Sequence, residues 1–288
     1  MTEDMESMDK INQEEAFKTQ TIVVKLGGTV GVDFNAICED VVHLISQGYR
    51  LVLVHGGSDQ ANTLGEAVGI PPRMVTSPSG YTSRYTNRKT LEIFCMAVKG
   101  KVNTLLVEEL QMLGVNAFGL SGLDGKVIEA KRKASIRIIE NGKLKILRDD
   151  FTGKILKVNT EMINALLSLG TLPVIAPIAA SERGEALNVD ADRAAAMVAG
   201  ALRADKLLLL TAVPGLLKNF PDETSLITNL TLNHLDTALE IAQGRMKKKI
   251  LSAMEALTGG VQQVIIGDGR KENPITNALA GIGTVITP

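Results

Sequence analysis

The sequence has too few cysteines for a disulfide framework: two among 288 residues, Cys38 and Cys95, and it contains no tryptophan. It also has no cysteine–histidine cluster with the spacing of a zinc site. Both cysteines lie in helix-like apolar patterns, which predicts buried thiols in a reducing compartment. We therefore expect a cytoplasmic protein that holds no structural metal.

Long apolar runs and a secretory leader are missing too. No run approaches the roughly 18 residues needed to span a bilayer. Residues 1–20 are acidic and polar, without the apolar centre of a signal peptide, and are interpreted as a mobile tail. The formal net charge of −1 argues against a dedicated nucleic-acid-binding protein. Neither a membrane nor a nucleic acid is expected as a partner.

What the sequence does contain is an alternation of short apolar strands with helical periodicities. The nearly all-apolar strands predict an α/β fold whose parallel sheet is buried on both faces. A long helix is predicted over Asn87–Leu113, and Asn141-Gly142 predicts a β-hairpin between Ile128–Ile139 and Lys143–Leu147. Further strands are predicted at 21–26, 50–54, 115–119, 172–178, 206–211 and 263–266, and further helices at 33–47, 160–169, 190–202 and 246–257. A final helix–strand pair is predicted to end at Ile286.

The first strand ends in a pattern that suits an anion. Lys25 lies inside an otherwise apolar strand, where an ammonium group is costly to bury unless an anion meets it. Gly27 and Gly28 follow, and paired glycines let backbone N–H groups approach phosphate oxygens. The alternative is that Lys25 reaches solvent and the glycines only form a turn.

The second strand end repeats this arrangement with His55, Gly56 and Gly57. Ligands of open parallel sheets bind beyond the carboxyl ends of the strands, so two such loops at successive strand ends predict an anion-binding crevice. The motifs G-x-x-x-x-G-K-[ST] and G-x-G-x-x-G are both absent. His55 is interpreted as a packed residue at the strand end, and we do not assign it as a base.

Two helix starts carry charge that fits the same site. Asp190 is predicted to cap a helix, and Asp192 in its first turn can hold two lysine ammonium groups. The segment Arg245–Lys249 places positive charge at another helix N-terminus, where it needs an anionic partner unless it is merely solvated. Together these groups suit phosphoryl transfer, which depends on positioned positive charge. A carboxylate acceptor needs no general base, in keeping with the lack of a catalytic His or Cys.

A basic segment covers residues 126–148, with eight Lys or Arg against two Glu. One interpretation is the solvated surface of a hairpin. The other is a surface that attracts an acidic partner.

Five ordered motifs between residues 21 and 288 resemble those of the acetylglutamate kinase family. Segments 79–88 and 118–125 are similar to its branch that phosphorylates α-aminoadipate, or glutamate, carried by the small acidic protein LysW. The five motifs are Lys25-Leu26-Gly27-Gly28, His55-Gly56-Gly57, Asn188-Val189-Asp190-Ala191-Asp192, Thr211-Ala212-Val213-Pro214-Gly215 and Met246-Lys247-Lys248-Lys249.

The resemblance implies a three-layer αβα sandwich with a mainly parallel central sheet, the amino-acid-kinase fold. It implies ATP with Mg²⁺ as cofactor, an acylphosphate product of lysine or arginine biosynthesis, and a homodimer across the long helix. The domain would cover residues 21–288, with an acyl-substrate lobe at about 21–180 and an ATP lobe at about 181–288.

The resemblance also implies roles for single residues. Lys25 and Lys249 match the two lysines that stabilise the phosphoryl transition state, and Asp192 matches the aspartate that orients them. Gly56 and Gly57 match the pair whose backbone holds the substrate carboxyl group.

Arg84 and Asn188 match the residues that grip the α-side groups of the substrate. The basic segment is expected to contact the carrier through Lys131, Arg132 and Lys133. The residues expected on the ATP side are Gly27, Gly28, Thr211, Val213, Gly215 and Met246.

Two positions depart from the family pattern: Ala212 replaces a usual aspartate, and Arg245 replaces a usual glycine. Both lie on the ATP side, so nucleotide affinity or metal preference is expected to differ. Two alternative functions stay open, an acetylglutamate kinase acting on free N-acetylglutamate and a non-catalytic sensor of nucleotides or amino acids.

Overall fold

A computed structural model describes residues 20–27, 31–78, 80, 82–133 and 135–288. The predicted tail lies outside these residues except for Gln20, and Gly28 lies outside them as well. Within the described part, no helix is long and apolar enough to cross a membrane.

The strands and helices are numbered here in chain order. The strands are β1 (Thr21–Leu26), β2 (Arg50–His55), β3 (Arg73–Thr76), β4 (Thr82–Tyr85), β5 (Ala117–Gly122), β6 (Ile128–Arg132), β7 (Ser135–Glu140), β8 (Lys143–Arg148), β9 (Gly153–Val158), β10 (Leu172–Ala180), β11 (Ala186–Asn188), β12 (Lys206–Thr211), β13 (Asn229–Thr231), β14 (Gln263–Asp268) and β15 (Thr284–Thr287). The α-helices are α1 (Phe34–Ser46), α2 (Ser58–Ala67), α3 (Arg88–Cys95), α4 (Thr104–Met112), α5 (Thr160–Ser168), α6 (Ala191–Leu202), α7 (Leu235–Ile241), α8 (Arg245–Thr258) and α9 (Pro274–Leu279).

The larger sheet has eleven strands in the order β13-β15-β14-β12-β1-β2-β10-β6-β9, with β5 and β11 also paired to β10. Its centre, β14-β12-β1-β2-β10, is parallel throughout. Antiparallel pairing occurs in β14–β15, β10–β11 and β6–β9. The predicted mainly parallel sheet is confirmed.

Successive residues of β1 face two different hydrophobic cores, because side chains alternate across a strand. Val23 packs in the core that contains Ala195 of α6 and Ile250 of α8. Val24 packs in the core that contains Ile37 of α1 and Ile275 of α9. Helices therefore cover both faces of the sheet, which confirms the three-layer αβα arrangement.

The predicted long helix is present, but its middle is a π-helix. Asn87 caps the start by accepting a hydrogen bond from the Thr90 N–H at 2.9 Å. Helix α3 then passes into a π-helical segment, Met96–Asn103, which continues as α4. A π-helix widens the turn and moves the following side chains, and it occurs often at functional sites.

The predicted hairpin forms around Asn141 and Gly142, which have φ of 52° and 71°, as a two-residue primed turn requires. The prediction of one continuous first arm is wrong. Residues 128–132 form β6 in the larger sheet, whereas β7 pairs with β8 and β3 in a separate antiparallel sheet, β4-β3-β7-β8. Strands β3, β4, β9, β11 and β13 were not predicted.

The predicted lobe boundary falls in a tight turn between β10 and β11. The Ser181 N–H donates to the Glu185 carbonyl at 2.8 Å, and Gly184 has φ of 80°. The larger sheet is continuous across this turn, so the division into two lobes stays a prediction. Of the two thiols, Cys38 is buried, with its pKa raised to about 12 by burial, and Cys95 is half-buried.

Candidate active site

The carboxyl ends of β1, β2 and β12 meet at one edge of the sheet. Val24 pairs with Leu53 of β2 and with Leu208 of β12, so the loops after these strands are neighbours. This register places Gly27, the described start of the first glycine loop, beside Gly56 and Gly57. A cavity of about 140 Å³ opens between them, lined by Lys25, Gly27, Gly56, Gly57, Ser58, Asp190, Ala191, Asp192, Thr211, Arg245, Lys248 and Lys249.

A buried ion cluster forms the floor of this cavity. The Lys25 Nζ lies 2.7 Å from Oδ1 of Asp192. The Lys249 Nζ lies 3.0 Å from the same oxygen and 3.1 Å from Oδ2. Lys25, Asp192 and Lys249 are only 6%, 7% and 5% exposed. The predicted convergence of two lysines that are distant in the chain is confirmed.

The charges in this cluster shift one another's proton affinities. Burial alone raises the pKa of the Asp192 carboxyl, but Lys249 and Lys25 outweigh burial and hold that pKa well below its usual range. Burial lowers the pKa of Lys249 to about 8, against the attraction of Asp192. One carboxylate between two ammonium groups leaves net positive charge, which suits an incoming anion.

Helix α6 places Asp192 in its first turn. Asp190 caps this helix, as predicted, by accepting hydrogen bonds from the N–H groups of Asp192 at 3.0 Å and Arg193 at 3.2 Å. The cap fixes the start of the helix, and the helix dipole favours a carboxylate at this end.

Three of the four cations at the start of α8 have a carboxylate partner, which offsets their unfavourable position at a helix N-terminus. Lys249 binds Asp192, and Lys248 lies 3.3 Å from the Asp190 carboxylate. Arg245 lies 3.4 Å from Asp59 in the first turn of α2. The pair Arg245–Asp59 therefore bridges the two sides of the cavity.

Gly56 and Gly57 allow the chain to pass closely between its neighbours. A Cβ atom on Gly57 would lie 2.9 Å from the Val98 side chain in the π-helical segment. The Gly56 N–H already donates to the Leu26 carbonyl at 3.1 Å. Gly57 precedes α2 and has no side chain to cap it, so the N–H groups at the start of this helix are suited to hold a carboxylate.

A second cavity of about 370 Å³ adjoins the first and shares Thr211, Arg245 and Lys249 with it. Its wall is mainly apolar, as the flat base of a nucleotide requires. It contains four of the residues predicted on the ATP side. The complete lining is Thr211, Val213, Gly215, Leu216, Leu217, Phe220, Ile241, Ala242, Gln243, Gly244, Arg245, Met246 and Lys249.

The remaining predicted substrate residues lie beside the first cavity and not in its lining. Arg84 is 9% exposed, and its Nη2 donates to the Ser58 carbonyl at 3.1 Å. The Asn188 amide donates to the Thr86 hydroxyl at 3.1 Å. Gly28, also predicted on the phosphate side, lies outside the described residues.

Of the predicted carrier residues, Lys131 and Arg132 end β6 and Lys133 follows it, and their surroundings differ. Lys131 and Lys133 are exposed. Arg132 is half-buried, with its guanidinium 3.6 Å from the ring centre of Phe151 and 2.9 Å from the Glu185 carboxylate. Arg132 is thus held in place, whereas its two neighbours are available at the surface.

Comparison with known proteins identifies the family. The family model described as "Amino acid kinase family" matches residues 20–268. The [LysW]-aminoadipate kinase of Deinococcus radiodurans is 58% identical, covering 92% of this chain and 91% of the relative. The [LysW]-aminoadipate kinase of Thermus thermophilus is 48% identical, covering 92% and 99%.

The chain belongs to the amino acid kinase family. It is a phosphotransferase, and membership implies that it uses ATP. Carbamate kinase of Giardia lamblia, solved with AMP-PNP, is 17% identical with a TM-score of 0.64, covering 94% of this chain and 99% of that chain, so the two share the fold.

Of the two departures from the family pattern, one lines the cavities and the other does not. Arg245 lines both cavities, where it adds a cation. Ala212 is absent from the described lining of either cavity.

Ser58 and Asp59 were not predicted as parts of the site, and Lys248 was not singled out from its motif. The positions of Ser58 and Lys248 in the sequence could have indicated them. Ser58 directly follows the second glycine pair, and Lys248 directly precedes a predicted catalytic lysine. The pairing of Asp59 with a residue 186 positions away has no counterpart in the sequence pattern.

Proposed function

We propose that this protein phosphorylates the side-chain carboxylate of α-aminoadipate while the amino acid is attached to the carrier LysW, with ATP as the phosphoryl donor. The product is an acylphosphate of lysine biosynthesis. The observation that carries the proposal is the Lys25–Asp192–Lys249 cluster where a polar cavity meets an apolar one. The acceptor in this proposal is taken from the names of the Deinococcus radiodurans and Thermus thermophilus relatives, both [LysW]-aminoadipate kinases.

The ion cluster suits this reaction. The migrating phosphoryl group spreads negative charge over its equatorial oxygens, and the ammonium groups of Lys25 and Lys249 offset that charge. Asp192 holds both ammonium groups in place. The attacking carboxylate is already ionised at neutral pH, so no side chain has to accept a proton.

The two cavities divide the substrates between them. In this proposal the apolar cavity takes the nucleotide base, and the polar cavity takes the phosphates and the acceptor carboxylate. Roles for Gly27, Thr211, Val213, Gly215 and Met246 follow from these walls, and all five line one cavity or the other.

Magnesium enters the proposal with the nucleotide. Across the described ranges, no group of three or more His, Cys, Asp or Glu is arranged to hold a metal ion. The two carboxylates of the polar cavity, Asp190 and Asp192, already bind lysines. The phosphate oxygens of ATP are then the main ligands of the ion, as is common for Mg²⁺, and the ion offsets part of their charge.

The basic segment 126–148 supports an acidic carrier as the partner. Its eight cations and two anions give a net charge of +6 (8 − 2). A free amino acid needs no such surface, whereas an acidic protein is attracted and oriented by it. We propose Lys131 and Lys133 as contacts, because both are exposed, with Arg132 fixed between them by Phe151 and Glu185.

Trapping the acylphosphate with hydroxylamine tests the function directly. Three acceptors are compared: LysW-linked aminoadipate, LysW-linked glutamate and free N-acetylglutamate. The first is expected to have the highest kcat/KM, and the one-methylene difference from glutamate corresponds to roughly 10- to 200-fold. Equal or faster turnover of free N-acetylglutamate would favour an acetylglutamate kinase. ATP binding without turnover of any acceptor would favour a sensor.

We also propose a homodimer formed through the long helix. Large apolar side chains on that helix and on the adjacent strand β5 are exposed: Met96 is 53% exposed, Leu105 50%, Met112 76% and Phe118 49%. Covering such side chains stabilises association. Light scattering should give twice the monomer mass, and a charged substitution at Leu105 should halve it. The compartment that we propose is the cytoplasm, where ATP and the carrier are at hand.

A further inference from the structure

The peptide bond between Gly56 and Gly57 is held by the histidine that precedes it. His55 is fully buried. Its Nδ1 lies 2.7 Å from the Gly56 carbonyl oxygen. A carbonyl oxygen only accepts hydrogen bonds, so Nδ1 must carry the proton.

The other ring nitrogen is held by the π-helical segment. The Asn103 Nδ2 lies 2.9 Å from the His55 Nε2 and also donates to the Val174 carbonyl at 3.0 Å. The Asn103 Oδ1 accepts from the Lys99 ammonium at 2.9 Å, which fixes the amide orientation. Because the amide nitrogen donates, Nε2 accepts, and the ring is neutral with its proton on Nδ1.

The glycines around this network are required by close approach. A Cβ atom on Gly119 would lie 2.4 Å from the Asn103 Oδ1, and the Lys99 ammonium donates to the Gly119 carbonyl at 2.7 Å. On the other side, Val98 of the same π-helical segment packs against Gly57. The π-helical segment thus supports the glycine loop through both a hydrogen-bond chain and direct packing.

The orientation of the carbonyl determines the orientation of the N–H group in the same peptide. In a trans peptide the C=O and N–H bonds point in opposite directions. The Gly56 carbonyl points at the His55 ring, so the Gly57 N–H points away from it, and Gly57 lines the polar cavity. Among the residues that the structure describes, none accepts a hydrogen bond from this N–H.

We propose that His55 is a positioning residue: its Nδ1–H fixes the Gly56–Gly57 peptide so that the Gly57 N–H donates to the carboxylate that receives the phosphoryl group. The inference rests on the proposed function and adds a role that the sequence pattern did not suggest. His55 has no part in proton transfer, since both ring nitrogens are engaged by protein partners.

Two substitutions of His55 test this role. Asparagine can place an amide N–H near the position of Nδ1, whereas leucine fills the space without a donor. We expect His55→Leu to lower kcat/KM for the LysW-linked acceptor by roughly 10- to 100-fold, the effect of losing a hydrogen bond to a charged group. The KM of the His55→Leu variant for ATP should stay within about twofold of that of the unaltered protein. The His55→Asn variant should retain most of the kcat/KM for the LysW-linked acceptor.

The control is His43→Asn, which changes an exposed histidine of α1 and should leave all constants unchanged. A purely structural role for His55 would reduce the active fraction without changing KM for the acceptor. Equal losses in the Asn and Leu variants, or an unchanged acceptor kcat/KM in the Leu variant, would overturn the proposal.

Nitrogen-15 NMR of the histidine rings in the unaltered protein gives a measurement that needs neither variant nor substrate. We expect a neutral His55 ring with its proton on Nδ1 at pH 7, and a proton on Nε2 would overturn the proposal. If the Nδ1–H form is observed but the protein transfers no phosphoryl group to the carrier-linked acceptor, the proposed function fails while the peptide orientation stands.

Discussion

Replacing Asp192 by asparagine is the sharpest test of the ion cluster. The side chain keeps its shape and loses its charge. Lys25 and Lys249 are both almost fully buried, and their Nζ atoms lie 2.7 and 3.0 Å from the Asp192 Oδ1. In the variant they face a neutral amide in place of this carboxylate. Two like charges then remain side by side without a counterion, which disfavours the charged form of the buried Lys249 ammonium group.

The size of the effect follows from burial. Removing one partner of a buried ion pair costs about 3–5 kcal/mol, because an uncompensated charge is left behind. Since small proteins are stable by about 5–15 kcal/mol, the variant should still fold at 25 °C. Loss of one positive charge at the reacting group should lower kcat by about 10²–10³-fold, comparable with removal of an oxyanion-hole donor.

The pH dependence of the free energy of unfolding gives an independent test of the same variant. Burial already lowers the pKa of Lys249 to about 8, and in the Asp192→Asn variant it falls further below the unfolded value of about 10.4 because the attraction of the Asp192 carboxylate is lost. Between the folded and unfolded pKa values the unfolded chain binds more protons, so the stability of the variant rises with pH. Urea denaturation at pH 7 and pH 9 measures this, and the deficit relative to the unaltered protein should be smaller at pH 9.

The matched control is Glu92→Gln, which breaks an exposed ion pair with Arg88. The Glu92 side chain is 54% exposed and the Arg88 side chain 61%. Exposed helical pairs contribute about 0.3–0.5 kcal/mol, so stability and kcat should hardly change. An Asp192→Asn variant within about 1 kcal/mol of the unaltered protein, with kcat reduced less than threefold, would refute the reasoning.

Three further predictions concern other groups. Burial, reinforced by the nearby ammonium groups, lowers the pKa of His55 to about 4. The unfolding free energy should therefore rise by up to about 3 kcal/mol between about pH 4 and pH 6.5. Urea titrations of the His55→Asn variant should lack this rise. The proposed role of Lys249 requires its protonated form. Because burial lowers its pKa to about 8, kcat/KM for ATP should decline as the pH rises above about 8. The paired substitutions Lys131→Glu and Lys133→Glu should raise KM for the LysW-linked acceptor about tenfold, leave KM for ATP unchanged, and matter less at high salt in steady-state assays.

The central layers of the fold were predictable because each carries a local pattern. Apolar strands and amphipathic helices alternate, and a parallel sheet places successive strand ends at one edge. That single rule brought Lys25 and Gly57 to the same cavity. The convergence of Lys249 on Lys25 came from the family motifs, since no local pattern links residues 224 positions apart.

The parts that were missed are those decided by distant partners. Strand β3 is four residues long and half-exposed, and it is a strand because β4 and β7 pair with it. The same alternation runs through β6 and β7, and only their partners decide that they belong to different sheets. The π-helical segment is likewise held by what it touches, through the hydrogen bonds of Asn103 to His55 and Val174.

The exposure of each ion pair separates the permanent parts of the site from those that can change on binding. The side chains of Lys25, Lys249 and Asp192 are less than a tenth exposed, so their pairing is largely shielded from solvent and held in place. By contrast, the Arg245 side chain is 65% exposed in its pair with Asp59 at 3.4 Å, and such a pair contributes little to stability. Because Arg245 lines both cavities, its guanidinium can leave Asp59 for an incoming phosphate at small cost, whereas the buried cluster cannot rearrange without exposing unpaired charge. The site therefore combines a fixed cationic floor with an exchangeable cation at its rim. In the proposed function, the floor holds the reacting phosphoryl group and the rim is where the nucleotide enters and leaves.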